Sequence, residues 1–381
     1  MEQKKRRFAV LTGGGDCPGL NAVIRAVVKT FLQNDCEVYG VLNGFNGLIN
    51  DNLKLMDYAA VSGILPRGGT ILGTTNRDNP FHFAVEENGE LVYKDMREKV
   101  IENLRKYDIE ALVVIGGDGS LNIGAELARE CDIKVVGVPK TIDNDLPCTE
   151  RTFGFDTAMA MATEALDRLH TTAESHHRVM VLEVMGRYAG WIALHSGIAG
   201  GADVILLPEI PYKLEPVIAK IQARKAAGKN FSIVVVAEGA IPQGGTITVQ
   251  NVRNNGAGVD NNKLGGVGQV VAKQLEELTG LEARNTTLGY MQRGGSPTSF
   301  DRVLSTKYGA KAMELALAGK FNVLTVIKDG KLNSVPLEDV VGNNKRIGAV
   351  SGNTPESNIR RVNLDNDLVK TARDIGINLG D

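Results

Sequence analysis

Short apolar segments alternate with longer amphipathic segments along most of this chain. The short segments are rich in Val, Ile and Leu, which is typical of strands that are buried on both faces of a parallel sheet. The longer segments repeat their apolar residues every three or four positions, as helices packed on a sheet do. The alternation therefore predicts an α/β protein with doubly wound parallel sheets.

The predicted elements fall into two series, which indicates two α/β domains. In the first series, strands are predicted at residues 8–12, 37–42, 111–115 and 134–138, and helices at 21–33, 98–107 and 121–130. In the second series, strands are predicted at 179–184, 204–207 and 231–237, and helices at 158–173, 191–199 and 214–227.

Residues 239–268 contain many Gly, Asn and Gln residues and few apolar ones, so they are predicted to form one long loop. A functional lid, an interface loop and plain disorder remain open for it. Beyond it, residues 321–333 predict a hairpin that turns at Asp329-Gly330, and residues 365–375 predict a terminal helix.

Composition excludes some classes of function. The 381 residues are 43% hydrophobic and 23% charged, with a formal net charge of −2, which disfavours a general nucleic-acid or membrane surface. The charged residues 1–7 are unlike a signal peptide, so a soluble cytoplasmic protein is expected. Four cysteines without paired or metal-type spacing are expected to be free thiols.

Glycine-rich turns follow two of the predicted strands. Residues 12–19 (TGGGDCPG) and 116–120 (GGDGS) each lead from a strand into a helix, so their amides converge at a positive helix N-terminus that suits phosphate. One such turn is as often only tight packing. Two turns at strand ends of one sheet favour a phosphate site, and Asp118 in the second turn is a candidate ligand for Mg²⁺.

A third strand ends in residues 139–145 (PKTIDND), which bring a lysine and two carboxylates to the same edge of the sheet. Ligands of open α/β sheets collect at the carboxyl ends of the strands. Helix capping is an alternative role for each aspartate taken alone. It does not account for all three polar turns lying at one edge.

Four segments in order, 116–120, 139–145, 185–190 (MGRYAG) and 292–297 (QRGGSP), resemble the motif set of the phosphofructokinase family. The resemblance runs from about residue 8 to residue 317. A GGDG turn alone is shared with lipid and NAD kinases, whereas the ordered set is specific. The family resemblance implies two α/β domains with the active site in the cleft between them, and an enzyme of glycolysis.

The resemblance also implies domain boundaries and partners. Residues 1–154 with about 292–345 would form the phosphoryl-donor domain, and residues 155–291 with the C-terminal segment the fructose 6-phosphate domain. ATP is the expected donor and Mg²⁺ the expected cofactor, in a homo-oligomer that is a dimer or a tetramer. No nucleic acid or membrane partner is expected.

Residue roles follow from the same resemblance. Asp143 is implied as the general base toward the sugar 1-hydroxyl, with Asp145 beside it and Thr141 at the transferring phosphate; Arg187 is implied to meet the phosphoryl charge. Asp118 is implied as the magnesium ligand. Residues implied at the donor are Gly15, Phe45, Arg77, Gly117, Asp118, Gly119 and Ser120, where Phe45 is equally well explained as a core residue.

Residues implied at the sugar phosphate include an arginine clamp, since the guanidinium fork suits phosphate oxygens. They are Thr141, Asp143, Arg178, Met185, Gly186, Arg187, Glu238, Arg284, Tyr290 and Arg293. In the family, Arg178 and Arg284 reach in from a neighbouring subunit; without that precedent they would be interpreted as surface residues. Tyr290 replaces the histidine of many ATP-dependent members.

Two residues indicate different donors. Gly119 is typical of ATP-dependent members, because aspartate there would occupy the space of the α-phosphate, whereas Lys140 is typical of pyrophosphate-dependent members. The chain is therefore expected to use ATP and to lie close to the pyrophosphate-dependent branch. Pyrophosphate dependence and an inactive regulatory subunit are the alternatives; intact Asp118, Asp143 and Arg187 disfavour the second.

Overall fold

The computed structural model describes residues 4–251, 263–341 and 359–381. These residues form two compact units. The first contains residues 4–141, 146–154 and 293–341, and the second contains residues 142–145, 155–251, 263–292 and 359–381. Each unit is built on its own parallel or mainly parallel sheet, so the α/β prediction is confirmed.

The strands, in chain order, are β1 (Arg7–Thr12), β2 (Glu37–Val41), β3 (Leu53–Met56), β4 (Phe83–Glu87), β5 (Glu90–Lys94), β6 (Ala111–Gly116), β7 (Val135–Pro139), β8 (Val179–Val184), β9 (Val204–Leu206), β10 (Ser232–Ala237), β11 (Val249–Asn251), β12 (Lys263–Leu264), β13 (Ala283–Thr287), β14 (Val323–Lys328) and β15 (Lys331–Pro336). The helices are α1 (Leu20–Gln33), α2 (Phe45–Ile49), α3 (Arg97–Lys106), α4 (Asp118–Cys131), α5 (Phe155–His176), α6 (Trp191–Ala199), α7 (Leu214–Ala226), α8 (Val267–Thr279), α9 (Ser299–Leu317), α10 (Leu337–Val341) and α11 (Asp367–Asp374), with a 3₁₀ helix at Gly289–Arg293.

In the described part of the first unit, seven strands form one sheet in the order β15-β14-β7-β6-β1-β2-β3. The central strands β6 and β7 are buried throughout, as their continuous Val and Ile runs predict. The edge strands β3 and β15 are antiparallel to their neighbours; the predicted hairpin includes β15, whereas β3 was not predicted. The tight turn at Asp329-Gly330 explains the antiparallel pairing of β14 and β15, because a parallel return needs a crossover of a dozen or more residues.

The second unit has a fully parallel sheet among its described residues, in the order β13-β8-β10-β9. Every residue of β8 and β10 is buried. The polar sequence of β13 (ARNTT) carries no apolar run, which explains why no strand was predicted there. Helices α8 and α9 were likewise not predicted individually.

The predicted loop at 239–268 is partly wrong. β11 and β12 pair in antiparallel orientation within it, and α8 begins at Val267. Strands of two or three residues have too little periodicity to be recognised from sequence. Residues 252–262 of the predicted loop lie outside the described residues. The predicted hairpin at Asp329-Gly330, the terminal helix and the four free cysteines are confirmed.

Among the described residues, no helix is both long and apolar enough to cross a bilayer.

Helix α1 starts directly after the first glycine-rich turn, and α9 packs closely against it at Gly309. A Cβ atom built at Gly309 would lie 2.8 Å from the Val23 carbonyl oxygen and 2.8 Å from the Ala26 Cβ atom. Both distances are shorter than real contacts allow, so α9 can approach α1 this closely only with glycine at this position. The position of α1 behind the turn therefore depends on Gly309.

Substituting Gly309→Val should force α1 and α9 apart and lower the free energy of unfolding by about 1–3 kcal/mol, the usual cost of overpacking. Lys307→Val on the exposed side of α9 is the matched control, because it places the same β-branched side chain on the same helix without the clash. The thermal unfolding midpoints of the three proteins test this. Equal midpoints for the two variants would show that the close approach is unimportant.

Candidate active site

The turn after β1 begins with three consecutive glycines, residues 13–15, so this part of its backbone carries no side chains. The Gly13 amide donates to the Ile115 carbonyl oxygen at 2.9 Å, and the Gly14 amide donates to the Thr75 carbonyl oxygen at 3.0 Å. A Cβ atom at Gly13 would lie 2.4 Å from Oγ of Ser120. Ser120 therefore fills the space that a side chain on the turn would need, and the two glycine-rich turns are packed together.

Lys140 lies between these turns. It is only 4% exposed, and its amide donates to the Gly116 carbonyl oxygen at 2.9 Å. Its ammonium group donates to the Gly15 carbonyl oxygen, and a Cβ atom at Gly14 would be 3.4 Å from Nζ. A buried positive charge is thus held against the first glycine-rich turn, at the carboxyl ends of adjacent strands β1, β6 and β7.

Asp118 is the first residue of α4, after Gly117 as the N-cap residue. The amides of the first turn of a helix have no intrahelical partners, and this end of the helix dipole is positive. A Cβ atom at Gly119 would have no neighbour within 4 Å. The second turn therefore presents amides to an anion, and there is open space beside Gly119.

Two arginines lie near the first turn. Nη1 of Arg293 donates to the Asp16 carbonyl oxygen at 3.2 Å, and a Cβ atom at Gly15 would be 2.9 Å from that nitrogen. Exposed Arg77 follows Thr75, whose carbonyl accepts from Gly14. Sequence reasoning grouped Arg293 with Arg178 and Arg284; in the structure its guanidinium lies against the Gly15–Asp16 backbone.

Phe45 belongs to the core of the first unit. Its ring is 2% exposed and packs in the cluster that includes Leu11, Leu48 and Leu121. Of the two interpretations from sequence, burial favours the core residue, because stacking on adenine would require an open ring face. Burial thus supports a packing role for Phe45, and its adenine contact stays a prediction.

Two acidic side chains are buried near one another in the second unit. Asp143 is 4% exposed and Glu238, which follows β10, is 8% exposed. Burial, and after it the negative charge of Asp143, raise the pKa of Glu238 to about 7. Glu238 can therefore hold a proton near neutral pH, while a hydrogen bond from the Arg187 amide partly opposes this effect.

The loop that carries Arg187 is held in an unusual backbone conformation. Arg187 has φ of 50°, in the left-handed region, and its amide donates to Oε1 of Glu238 at 3.0 Å. The Met185 amide donates to Oε1 of fully buried Gln292 at 2.8 Å. A Cβ atom at Gly239 would lie 1.9 Å from the Arg187 carbonyl oxygen, so glycine is required there. Sequence reasoning missed the anchoring roles of Gln292 and Gly239.

Arg284 lies on β13, Arg178 directly precedes the neighbouring strand β8, and the two arginines share one carboxylate. Nε of Arg178 is 2.8 Å from Oε2 of Glu282, and Arg284 contacts both Glu282 and Glu276. The hydrogen bond from Arg178 is the main cause that lowers the pKa of Glu282. Tyr290 is 71% exposed. Glu282 therefore neutralises two of the arginines that the sequence analysis assigned to a phosphate.

Adjacent parallel strands with glycine-rich turns around a buried lysine are typical of α/β proteins that bind phosphate groups. The profile of the phosphofructokinase family matches residues 7–316. The chain belongs to the phosphofructokinase family.

Known relatives match the chain over its length. ATP-dependent 6-phosphofructokinase 2 of Clostridium perfringens is 51% identical, with 100% of each chain covered. Pyrophosphate–fructose 6-phosphate 1-phosphotransferase of Streptomyces coelicolor is 47% identical over 90% of this chain and 96% of that protein. The solved phosphofructokinase of Saccharomyces cerevisiae is 33% identical with a TM-score of 0.73; it covers 89% of this chain, which spans 45% of that longer chain.

Glu238 should make stability depend on pH. Because the folded pKa of about 7 is above the ordinary value of 4.5, its stabilising effect is complete below pH 4.5 and is lost as the pH rises through 7. The free energy of unfolding should fall across this window, by at most about 1.4 kcal/mol per pH unit from this group. Glu238→Gln should flatten the trend.

The measurement is urea unfolding of the ligand-free protein at several pH values from 5 to 8. Glu174→Gln, which removes an exposed carboxyl group from α5, is the control and should keep the wild-type trend. The same pH dependence in the Glu238→Gln variant and the wild type would contradict the raised pKa.

Proposed function

We propose that this chain transfers the γ-phosphoryl group of ATP to the 1-hydroxyl of fructose 6-phosphate, giving fructose 1,6-bisphosphate and ADP in glycolysis. The observation that carries the proposal is buried Lys140 held against glycine-rich turns at the ends of adjacent strands. This is the arrangement that a polyphosphate needs. The names of the 51% identical relative and others like it support ATP as the donor.

In this proposal, the first unit binds the donor. The amides of Gly117 and Gly119 at the start of α4 and the positive charges of Lys140 and Arg77 meet the phosphate oxygens. Gly15 and Ser120 shape the turns, since a larger side chain at Gly15 would collide with Arg293. Open space beside Gly119 leaves room for the α-phosphate of ATP.

Asp118 is the residue proposed to hold Mg²⁺. A magnesium ion bound to a polyphosphate takes only one or two protein carboxylates and completes its shell with phosphate oxygens and water. Asp118 at the start of α4 supplies one carboxylate, which fits this pattern. No larger cluster of potential metal ligands occurs among the described residues. When bound, the ion would neutralise charge on the phosphates.

The second unit supplies the groups for the acceptor. Asp143 accepts the proton of the sugar 1-hydroxyl as that oxygen bonds to the γ-phosphorus and the bond from the γ-phosphorus to the departing ADP oxygen breaks. Protonated Glu238 can donate a hydrogen bond to the sugar, because the pKa of Glu238 is raised to about 7. Arg187 meets charge on the transferring group, and Asp145 follows the base by two positions. Thr141, which ends the preceding segment of the first unit, is proposed to contact the transferring phosphate.

Arg178 and Arg284 are proposed to bind the 6-phosphate of a fructose 6-phosphate molecule that is held by a neighbouring subunit of a homo-oligomer. Their present partner, Glu282, holds the two guanidinium groups together. A phosphate dianion would compete with this carboxylate, because it can receive the same charge-assisted bidentate bonds from the two guanidinium groups. Arg293, Tyr290, Met185 and Gly186 complete the proposed sugar-phosphate contacts.

Pyrophosphate is the second candidate donor. Two observations favour it: the position of Lys140 beside Gly14 and Gly15, and the 47% identity to a pyrophosphate-dependent relative. Pyrophosphate lacks an α-phosphate bearing a nucleoside, so the space beside Gly119 would serve no purpose for it. The free space at Gly119 is the reason for preferring ATP.

Replacing Asp143 by asparagine removes the base but keeps the shape of the side chain. The turnover number, kcat, should fall about 10²–10⁴-fold while KM for fructose 6-phosphate stays within a few-fold. Asp132→Asn is the control, because Asp132 is an exposed residue at the end of α4 whose left-handed conformation asparagine tolerates. A coupled assay measures both constants, and near-normal turnover of the Asp143→Asn variant would remove Asp143 from this role.

Replacing Gly119 by aspartate tests the donor. The new carboxylate would enter open space without a clash, so its effect should be electrostatic. Repulsion from the α-phosphate at about 4 Å costs from about 1 kcal/mol in bulk water to about 4 kcal/mol at an effective dielectric of 20. We therefore expect kcat/KM for ATP to fall about tenfold to several hundredfold, and that for pyrophosphate to fall less or to rise.

Gly119→Ala is the matched control, because it adds a side chain without a charge and should keep most of the activity with ATP. The constants for both donors are measured at saturating magnesium and sugar phosphate. A wild type that already prefers pyrophosphate would contradict ATP as the donor. Equal losses with both donors in the aspartate variant would assign Gly119 to the backbone of the turn.

A further inference from the structure

The segment after residue 358 contacts the short stretch 142–145 that carries Asp143. The Arg360 amide donates to the Asp145 carbonyl oxygen at 2.6 Å, and Nη1 of Arg360 donates to the Asn144 carbonyl oxygen at 3.1 Å. Arg360 lies beyond the residues that the family profile matches. One residue near the C-terminus therefore supplies hydrogen bonds to two consecutive carbonyl groups beside the proposed base.

Arg360 is itself firmly held. Its guanidinium group lies over the Trp191 ring, 4.3 Å from the centroid, and Nε1 of Trp191 donates to the Arg360 carbonyl oxygen at 2.9 Å. A cation over a tryptophan face is favourable, especially where water is excluded. Trp191 is the first residue of α6 and is buried. Arg360 thus joins the stretch 142–145 to the start of α6.

Glu209 fixes the same segment to the loop that carries Arg187. Its Oε1 atom accepts from the Val362 amide at 2.9 Å and from the Gly190 amide at 2.9 Å. Gly190 is the N-cap residue of α6 and follows Arg187 by three positions. The C-terminal segment therefore contacts both stretches of the second unit that carry proposed catalytic groups.

The stretch 142–145 needs such support. Asn144 has φ of 53°, in the left-handed region, and is 2% exposed. For a residue other than glycine, the left-handed backbone conformation is less stable than the right-handed one. A buried carbonyl oxygen that loses its hydrogen-bond donor lowers the stability of the fold by about 1–3 kcal/mol. The hydrogen bonds from Arg360 favour the observed backbone, and Asp143 is the residue directly before Asn144.

We propose that Arg360 is a positioning residue for Asp143: its contacts with Trp191 and with the carbonyl groups of Asn144 and Asp145 hold the carboxylate in its working orientation. This inference rests on the proposed role of Asp143 as the general base. A misplacement of about 1 Å in a catalytic group can cost about 10²-fold in rate. The effect of Arg360 should therefore appear in turnover more than in substrate binding.

The test compares Arg360→Ala and Arg360→Lys with Lys370→Ala, which removes an exposed charge from α11 in the same C-terminal segment. Arg360→Ala should lower kcat about 10- to 100-fold, with KM for fructose 6-phosphate within a few-fold of the wild type. Arg360→Lys keeps a cation that can lie over Trp191 and should recover part of this loss. Lys370→Ala should match the wild type.

Hydrogen–deuterium exchange of the substrate-free proteins gives a readout that does not depend on activity. Amides of residues 142–146 should exchange faster in Arg360→Ala than in the wild type, and Arg360→Lys should lie between them. Unchanged exchange, or faster exchange with normal kcat, would overturn the inference. If Asp143→Asn abolishes turnover while Arg360→Ala does not, the inference fails and the proposed function stands; a wild type without any transferase activity means that the proposed function has failed.

Discussion

The buried ammonium group of Lys140 constrains the two glycine-rich turns of the first unit. A lysine that is 4% exposed has given up most of its hydration, so it requires oxygen acceptors nearby. The carbonyl oxygen of Gly15 is one of them, which fixes the first turn against the end of β7. Both turns must then be nearly free of side chains, because Ser120 already occupies the space beside Gly13.

This constraint links the fold to the proposed chemistry. The charge of Lys140 is buried between two glycine-rich turns, so an anion bound beside it would meet a positive group with little competition from water. The second unit has the opposite character. Asp143 and Glu238 are buried acids, and the charge of Asp143 contributes to raising the pKa of Glu238. The first unit thus places a buried positive charge beside its glycine-rich turns, whereas the second unit buries two acidic side chains.

The sequence analysis predicted the features that depend on local patterns. The strands that end at Thr12, Gly116 and Pro139 were found because their apolar runs stop at glycines or charged residues, and the order of those turns indicated the family. The edge strand β3 and the polar strand β13 were missed, since short or polar strands carry a weak signal. The adenine contact of Phe45 was one of two open alternatives, and only the packing of Leu48 and Leu121 around it favours the core role.

Contacts between distant parts of the chain could not be predicted from one sequence. Nothing in the local pattern indicates that Gln292 anchors the Met185 amide, that Glu282 joins Arg178 to Arg284, or that Arg360 reaches the carbonyl groups beside Asp143. The most direct measurement of the central claim is ³¹P NMR of purified protein with fructose 6-phosphate, Mg²⁺ and ATP. We expect resonances of fructose 1,6-bisphosphate and ADP to grow together. No bisphosphate from ATP would contradict the proposed reaction, and its appearance only with pyrophosphate would show that the donor is wrong.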